Sequence, residues 1–439
     1  MFMDMTESRR LRDQGAMRGG FAPVTPRTIA DTGVAEAFLN ALLLRRLYSF
    51  GDACLKSLVD SLSLPAPVVR SILQRLRLAR MVERLGAASD AGDEFWTLTT
   101  AGRARAAEAR ALNAYLGPAP VSVESYRRSL AEQPDETPPD AARLSAVLGD
   151  LAIDPGTLDQ LGVALTSGRN FIIHGPPGSG RSSLVGRLSH MLRESVWIPR
   201  AVLLGDQVMS LYDPACHEIV PLTNGGTSLH DPRWVRVRRP VVMAGSATTE
   251  DSFRLSEQLG LCALAAPLQI KSAHGILVLD EPRTGMRSGG ALCRRLTSAI
   301  ESGRQTLVTS DKKVAELPLK TRLVVVDSRS PSKGGYHRMG LRFGHRVSLA
   351  PLHPELYRQV LSRAAQAAGL PVDQVGVEYL CQDLHRRSTI PLLSSIPSEL
   401  IRRISDQARW RAVKAEVNPD SLERAWCSLF GTSTRGPAA

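Results

Sequence analysis

Two stretches of this chain carry residue types at spacings suited to phosphate chemistry. Gly175-Pro176-Pro177-Gly178-Ser179-Gly180-Arg181-Ser182-Ser183 follows the apolar run Phe171–Ile173 and fits G-x-x-x-x-G-K-[ST] at every position except its Lys, where Arg181 stands. Glycines 175, 178 and 180 let successive backbone N–H groups curl around phosphate oxygens at a helix start, so all nine residues form the expected nucleotide-binding set. Ser182, directly after the cation, has the hydroxyl expected to ligate Mg²⁺. The second stretch, Ile276-Leu277-Val278-Leu279-Asp280-Glu281, reads as a buried strand ending in two carboxylates. At such a strand end Asp280 is expected to hold Mg²⁺ through water, and Glu281 to polarise the attacking water as a catalytic residue. Either signature alone is weak; the two together are specific.

A third polar group is expected at the tip of QTLVTSD, between the Asp280 strand and the phosphate loop. Thr309, Ser310 and Asp311 are the candidates, with Ser310 taken as catalytic. Arg181 matters for rate. A Lys places a compact point charge on the phosphates, whereas guanidinium is planar, broader and always charged. Phosphate binding tolerates that exchange better than transition-state placement, where one misplaced charge costs on the order of 10²-fold or more. A weak or slow Mg-ATPase is the expectation.

The elements that must position these groups follow from periodicity. Strand-like runs alternate with helical segments through the middle of the chain (FIIHG, VWIPRAVLL, WVRVRRPVVMAG, GILVLDE, QTLVTS, RLVVVDS), which predicts an α/β domain with a mainly parallel sheet covered by helices over 145–345. Helical periodicity takes over across 346–430. Ahead of the α/β region, helices are predicted from Val34, from an Asp52 cap through Leu62, and after Pro65 and Pro67, followed by a hairpin (Met81–Leu85 and Glu94–Leu98) and a helix from Thr100. This is the order of a winged helix, placed at 31–117. In its third helix Val69, Ile72, Leu73 and Leu76 form one stripe and leave Arg70, Gln74 and Arg77 on another face. Residues 118–144 read as a Pro/Glu/Ser linker with one short helix, and 1–30 and 431–439 as disordered tails.

Composition narrows the class. An apolar content of 43% fits a chain with a buried core, and no stretch approaches the length of an apolar membrane span. Without an apolar leader behind the N-terminal arginines, a cytoplasmic location with no membrane insertion is expected. The six cysteines are scattered and read as small buried hydrophobes. Cys216 beside His217 lacks the second pair of a metal site, and His174 reads as a strand-end packing residue. The net charge of +12 favours an acidic partner without identifying one. Arg233, Arg236, Arg238 and Arg239, around a strand whose Val235 and Val237 point the other way, are candidates for an oligomer face, a channel lining or an edge-strand coat.

Beyond the two nucleotide motifs, LTTAGRARAAEA, YLGPAPV, VWIPRAVLLGDQVMSLYDPACHEIVPL, DPRWVRVRRPVVMAG and APLQIKSAHGILVLDE resemble bacterial AAA+ ATPases with an N-terminal winged helix, including chaperone-like ATPases of tight-adherence (type IVb) pilus assembly. The resemblance spans Val34 to Phe430. It implies an AAA+ P-loop NTPase domain with a helical lid, ATP and Mg²⁺ as cofactors, a homo-oligomeric ring and a protein client that is remodelled or assembled. It also implies a second-sensor residue in IPSELIRR, where Ser398 holds the usual Arg position and Arg402 lies one turn on, and an inter-subunit arginine finger near Lys320 or Arg322. Two other readings compete. LDEP at Leu279–Pro282 invites a transporter ATPase, but LSEQLG at Leu255–Gly260 is no LSGGQ signature and no His follows before His337. A catalytically degenerate nucleotide-binding regulator would act through the winged helix, either as a protein-interaction module or on DNA, with Arg70, Gln74 and Arg77 in a groove and Arg75, Arg80 and Arg84 on phosphates.

Overall fold

The computed structural model describes residues 21–85, 94–192, 194–221, 230–245, 247–258, 263–281, 289–309, 312–328 and 342–431. The chain divides into two compact units, each assembled from discontinuous segments. The first holds Met1–Thr137, Leu192–Leu277 and Gly285–Leu323; the second holds Pro138–Met191, Val278–Thr284 and Val324–Ala439. The linear succession expected from the sequence is therefore replaced by an interleaved one.

In the first unit, helices Glu36–Phe50, Leu55–Leu62, Ala66–Leu78 and Thr100–Leu112 accompany a three-stranded antiparallel sheet in the order Ala53–Cys54, Phe95–Leu98, Val82–Leu85. The stripe of Val69, Ile72, Leu73 and Leu76 is buried, and Arg70, Gln74 and Arg77 are exposed. The second helix starts later than an Asp52 cap implies, because Ala53–Cys54 pairs with Phe95–Trp96 and the Cys54 sulfur, not Asp52, accepts the Ser57 N–H. The turn expected at Gly86–Gly92 lies outside the described residues.

Residues 118–144 do not form a linker throughout. Val121–Ser122 pairs in parallel with Val202–Leu203, and helix Val123–Glu132 buries Tyr126 and Leu130 in the core beneath it. That pairing extends a mixed five-stranded sheet, ordered Ser256–Gln258, Ala263–Ala265, Gln207–Ser210, Ala201–Leu204, Val121–Ser122. The run VWIPRAVLL is split at Arg200. Ser195–Pro199 forms an antiparallel ribbon with Trp234–Arg238, while Ala201–Leu204 joins the mixed sheet. Order also begins earlier than Asp31: Phe21 packs on Trp234 with ring centroids 5.0 Å apart, and Ile29 is buried.

The second unit has an α/β fold with a parallel sheet flanked by helices. Phe171–His174 lies between Arg322–Asp327 and His345–Ser348 and runs parallel to both, and Ile276–Asp280 follows on the far side of Arg322–Asp327. The boundary expected between 345 and 346 falls inside a strand. The C-terminal helices, chiefly Pro354–Ala367, Ser395–Arg411 and Pro419–Phe430, share a core of their own around Tyr357, Leu361, Leu400, Ile404 and Trp426. Among the described residues no helix is long and apolar enough to cross a membrane, and Cys54, Cys216, Cys293, Cys381 and Cys427 form no disulfide.

Candidate nucleotide site

The phosphate loop leaves its strand at His174, where the Gly175 N–H donates to the Asp327 carbonyl at 3.4 Å. Gly178 and Gly180 occupy left-handed backbone at φ +84° and +91°, which a side chain disfavours. At Gly178 there is a second reason: an added Cβ would lie 2.5 Å from Ser395 Oγ. The Ser395 N–H and the Ser394 hydroxyl both donate to the Gly178 carbonyl, at 3.1 and 3.2 Å. The loop therefore rests on the start of helix Ser395–Arg411.

The carboxylate strand ends at Asp280. Glu281 adopts φ +46°, a left-handed conformation uncommon outside glycine, and its N–H donates to the Val326 carbonyl at 2.9 Å. This turn sends the carboxylate to the loop cation: Arg181 Nη2 donates to Glu281 Oε1 at 2.8 Å. The Arg181 side chain is only 9% exposed, against 38% for Glu281. Its other terminal nitrogen, Nη1, is buried with no hydrogen-bond partner among the described residues, as is the Ser179 hydroxyl. Burial pushes the Asp280 carboxyl above the ordinary carboxylate range, opposed by the Arg181 charge and assisted by Glu281.

A cavity of about 350 Å³ adjoins the loop, lined by Ser179, Gly180 and Ser183 on the loop side and by Ile153, Arg363, Ser394 and Ser398 among its other walls. Its size is in the range of small-molecule sites. Gly175, Pro176, Pro177, Gly178, Arg181 and Ser182 belong to the loop but are not part of this lining, and Ser182 is exposed. Of the two second-sensor candidates Ser398 faces the cavity, whereas Arg402 pairs with Glu399 at 2.9 Å.

The third element is elsewhere than expected. Arg304–Val308, the strand of QTLVTS, pairs with Val314–Pro318 in a separate two-stranded sheet, and Ser310 and Asp311 lie outside the described residues. The strand between loop and carboxylates is Arg322–Asp327, so the polar residue at its tip is the buried Asp327, in register with His174. Both expected finger cations are held within the first unit. Arg322 is half-buried and pairs with Glu136, and Lys320 bonds Asp135 at 2.9 Å. Arg363 is a lining residue that the sequence reading misses, because a lone Arg on an amphipathic helix carries no motif.

The four arginines near 236 are mostly internal. Arg233 and Arg239 are buried on Asp231 and Glu194, Arg236 donates to Ser195 Oγ at 2.6 Å, and Arg238 pairs with Glu218 at 3.0 Å. Of the four, Arg238 alone is exposed enough to serve as a coat. His217 accepts the Asp213 N–H and bonds the Lys271 carbonyl, which uses both ring nitrogens. Among the described residues no cluster of three metal-ligating side chains occurs.

Residues 353–428 match a domain of unknown function (DUF8689). No curated protein matches the chain. Solved structures similar to it include RuvB from Thermotoga maritima, described as a Holliday junction branch migration motor, at 15% identity and a TM-score of 0.37, covering 64% of this chain and 71% of that one. NtrX from Brucella abortus in complex with ADP gives 14% identity and a TM-score of 0.40, with 68% and 59% covered.

Proposed function

We propose that this protein is a Mg-ATP-binding AAA+ ATPase of low turnover, with its phosphate site in the second unit and the helices of 346–430 acting as the lid. The carrying observation is the meeting of the two motifs: Arg181 from the phosphate loop and Glu281 from the carboxylate strand are 2.8 Å apart, and Ser179, Gly180 and Ser183 of the same loop line a cavity of about 350 Å³. The buried Arg181 nitrogen and Ser179 hydroxyl, both without partners among the described residues, fit an anion acceptor. In this reading the loop amides and Arg181 hold the phosphates, Ser182 and Asp280 hold Mg²⁺, Glu281 orients water, and Asp327 takes the sensor position in place of Ser310. Mg²⁺ supplies charge neutralisation on the phosphates when bound. The working form is a cytoplasmic homo-oligomeric ring acting on a protein client, pilus or secretion assembly being the family's example, through a winged helix at 31–117.

Glu281→Gln tests the assignment of the general base. Phosphate release should fall by about 10²- to 10⁴-fold while Mg-ATP still binds; an unchanged rate would remove Glu281 from the chemistry. A second reading, nucleic-acid binding, is favoured by one feature. Arg70 and Arg77 are exposed on one helix face with no ion pair among the described residues, whereas Arg75 pairs with Glu36. A salt-dependent shift of duplex DNA by the full chain supports it, and no shift at low salt removes it.

A further inference from the structure

We infer that Arg181 and Glu281 form a latch that closes the nucleotide-free site on itself, so that phosphate must displace the water-orienting carboxylate from the loop cation before it can be held. This rests on the nucleotide reading above and adds how that site is regulated. Three observations carry it. The pair joins the two groups that the reaction needs apart: a cation for phosphate and a carboxylate for water, in contact at 2.8 Å. Glu281 reaches Arg181 from a left-handed backbone conformation at φ +46°, a local strain that the Val326 carbonyl helps to hold through the Glu281 N–H. The guanidinium is also half used: Nη2 is on Glu281 while Nη1 is buried without a partner among the described residues.

A buried donor without a partner is costly, and an oxygen-rich anion is its natural acceptor. The planar fork makes the exchange continuous. Nη1 can engage an incoming phosphate oxygen before Nη2 leaves Glu281, so the cation is never unpaired during the swap. A Lys ammonium in the same place carries its three N–H donors on one compact nitrogen, without the planar fork that holds two acceptors side by side. Once displaced, the Glu281 carboxylate orients water. Hydrolysis and phosphate departure return Arg181 to it, and the site closes again. Turnover is thus slow because the resting state opposes the first step, and not only because Arg places its charge less well than Lys.

The latch makes a binding prediction that a simple charge effect does not. Glu281→Gln removes the negative charge, whereas Glu281→Asp keeps the charge and shortens the arm by one methylene, withdrawing the oxygen from Arg181. Mg-ADP, which avoids turnover, is titrated calorimetrically into the full-length wild type and both variants, with unfolding midpoints confirming that each is folded. The latch predicts that both variants bind Mg-ADP about three- to tenfold more tightly than wild type, the scale of one partly exposed ion pair. Tighter binding by Gln alone, with Asp equal to wild type, would mean ordinary charge repulsion and would overturn the latch. Equal binding by all three would overturn it as well. No binding by any of the three, with all folded, would instead overturn the nucleotide reading on which the latch depends.

Discussion

Among the buried arginines that face carboxylates, Arg233 and Arg181 differ in what is left over. Arg233 in the first unit spends its whole fork: Nε and Nη2 donate to Asp231, and Nη1 donates to the Thr32 and Pro120 carbonyls. Arg181 in the second unit makes one bond to Glu281 and keeps a buried nitrogen without a partner among the described residues. Saturation marks the first as a structural tie between the N-terminal segment and the ribbon strand. The unspent donor leaves the second able to take a further acceptor. Arg239 follows the first pattern, since it also reaches Glu194 and the His274 and Pro134 carbonyls.

The largest effect that would sharpen this contrast is expected from Arg233→Ala. Breaking a saturated buried pair leaves Asp231 charged and uncompensated, so stability should drop by about 3–5 kcal/mol in denaturant unfolding. Arg181→Met should cost no more than about 1 kcal/mol, since it removes a single half-open pair and a donor without a partner. Comparable losses at both positions would break the distinction. Next in size, Gly178→Ala combines left-handed backbone with a Cβ 2.5 Å from Ser395 Oγ. It should destabilise by about 1–3 kcal/mol and weaken Mg-ATP binding, read as a raised Kd.

The smallest effect is a pH dependence. Burial, then Lys320 and Arg239, pull the His274 imidazole from 6.5 down to about 3. The folded value lies below the unfolded one, so the unfolded chain takes up the proton first. Stability is fully present above about pH 6.5 and is lost as pH falls toward 3, by about 1 kcal/mol per unit. His274→Gln should flatten that slope in an unfolding series between about pH 7 and 5. Glu281→Gln should leave it unchanged, because the charges that act on His274 are those of Lys320, Arg239 and Asp135.

What the sequence discloses about the second unit and withholds about the first has a physical cause. Phosphate binding needs particular residues at fixed local spacing, so Gly175–Ser183 and Asp280–Glu281 are legible without knowing the fold. Which strand neighbours which is a long-range property. The strand Arg304–Val308, expected beside the phosphate loop, pairs instead with Val314–Pro318, yet a local signal distinguishes the two strands. Arg304–Val308 alternates exposed and buried residues, as a two-stranded sheet does, whereas Leu323–Val326 is buried throughout. A continuous apolar run ending in a carboxylate, LVVVD, matches ILVLD in kind and points to Asp327. By contrast, nothing in VWIPRAVLL or in residues 118–144 announces that Arg200 divides two sheets or that Val121 completes one. Those outcomes depend on distant partners, set by pairings such as Val121 with Val202 and Val196 with Val237.

Mg-ATP titration by calorimetry, with phosphate release followed on the same sample, bears most directly on the role of Arg181 when wild type is set beside Arg181→Lys. Wild type is expected to bind Mg-ATP and release phosphate slowly, and Lys to raise the rate by about tenfold or more by placing a compact charge on the phosphates. Binding by neither protein, with both folded, would contradict the nucleotide reading and leave the cavity lined by Ser179, Gly180 and Ser183 without a nucleotide.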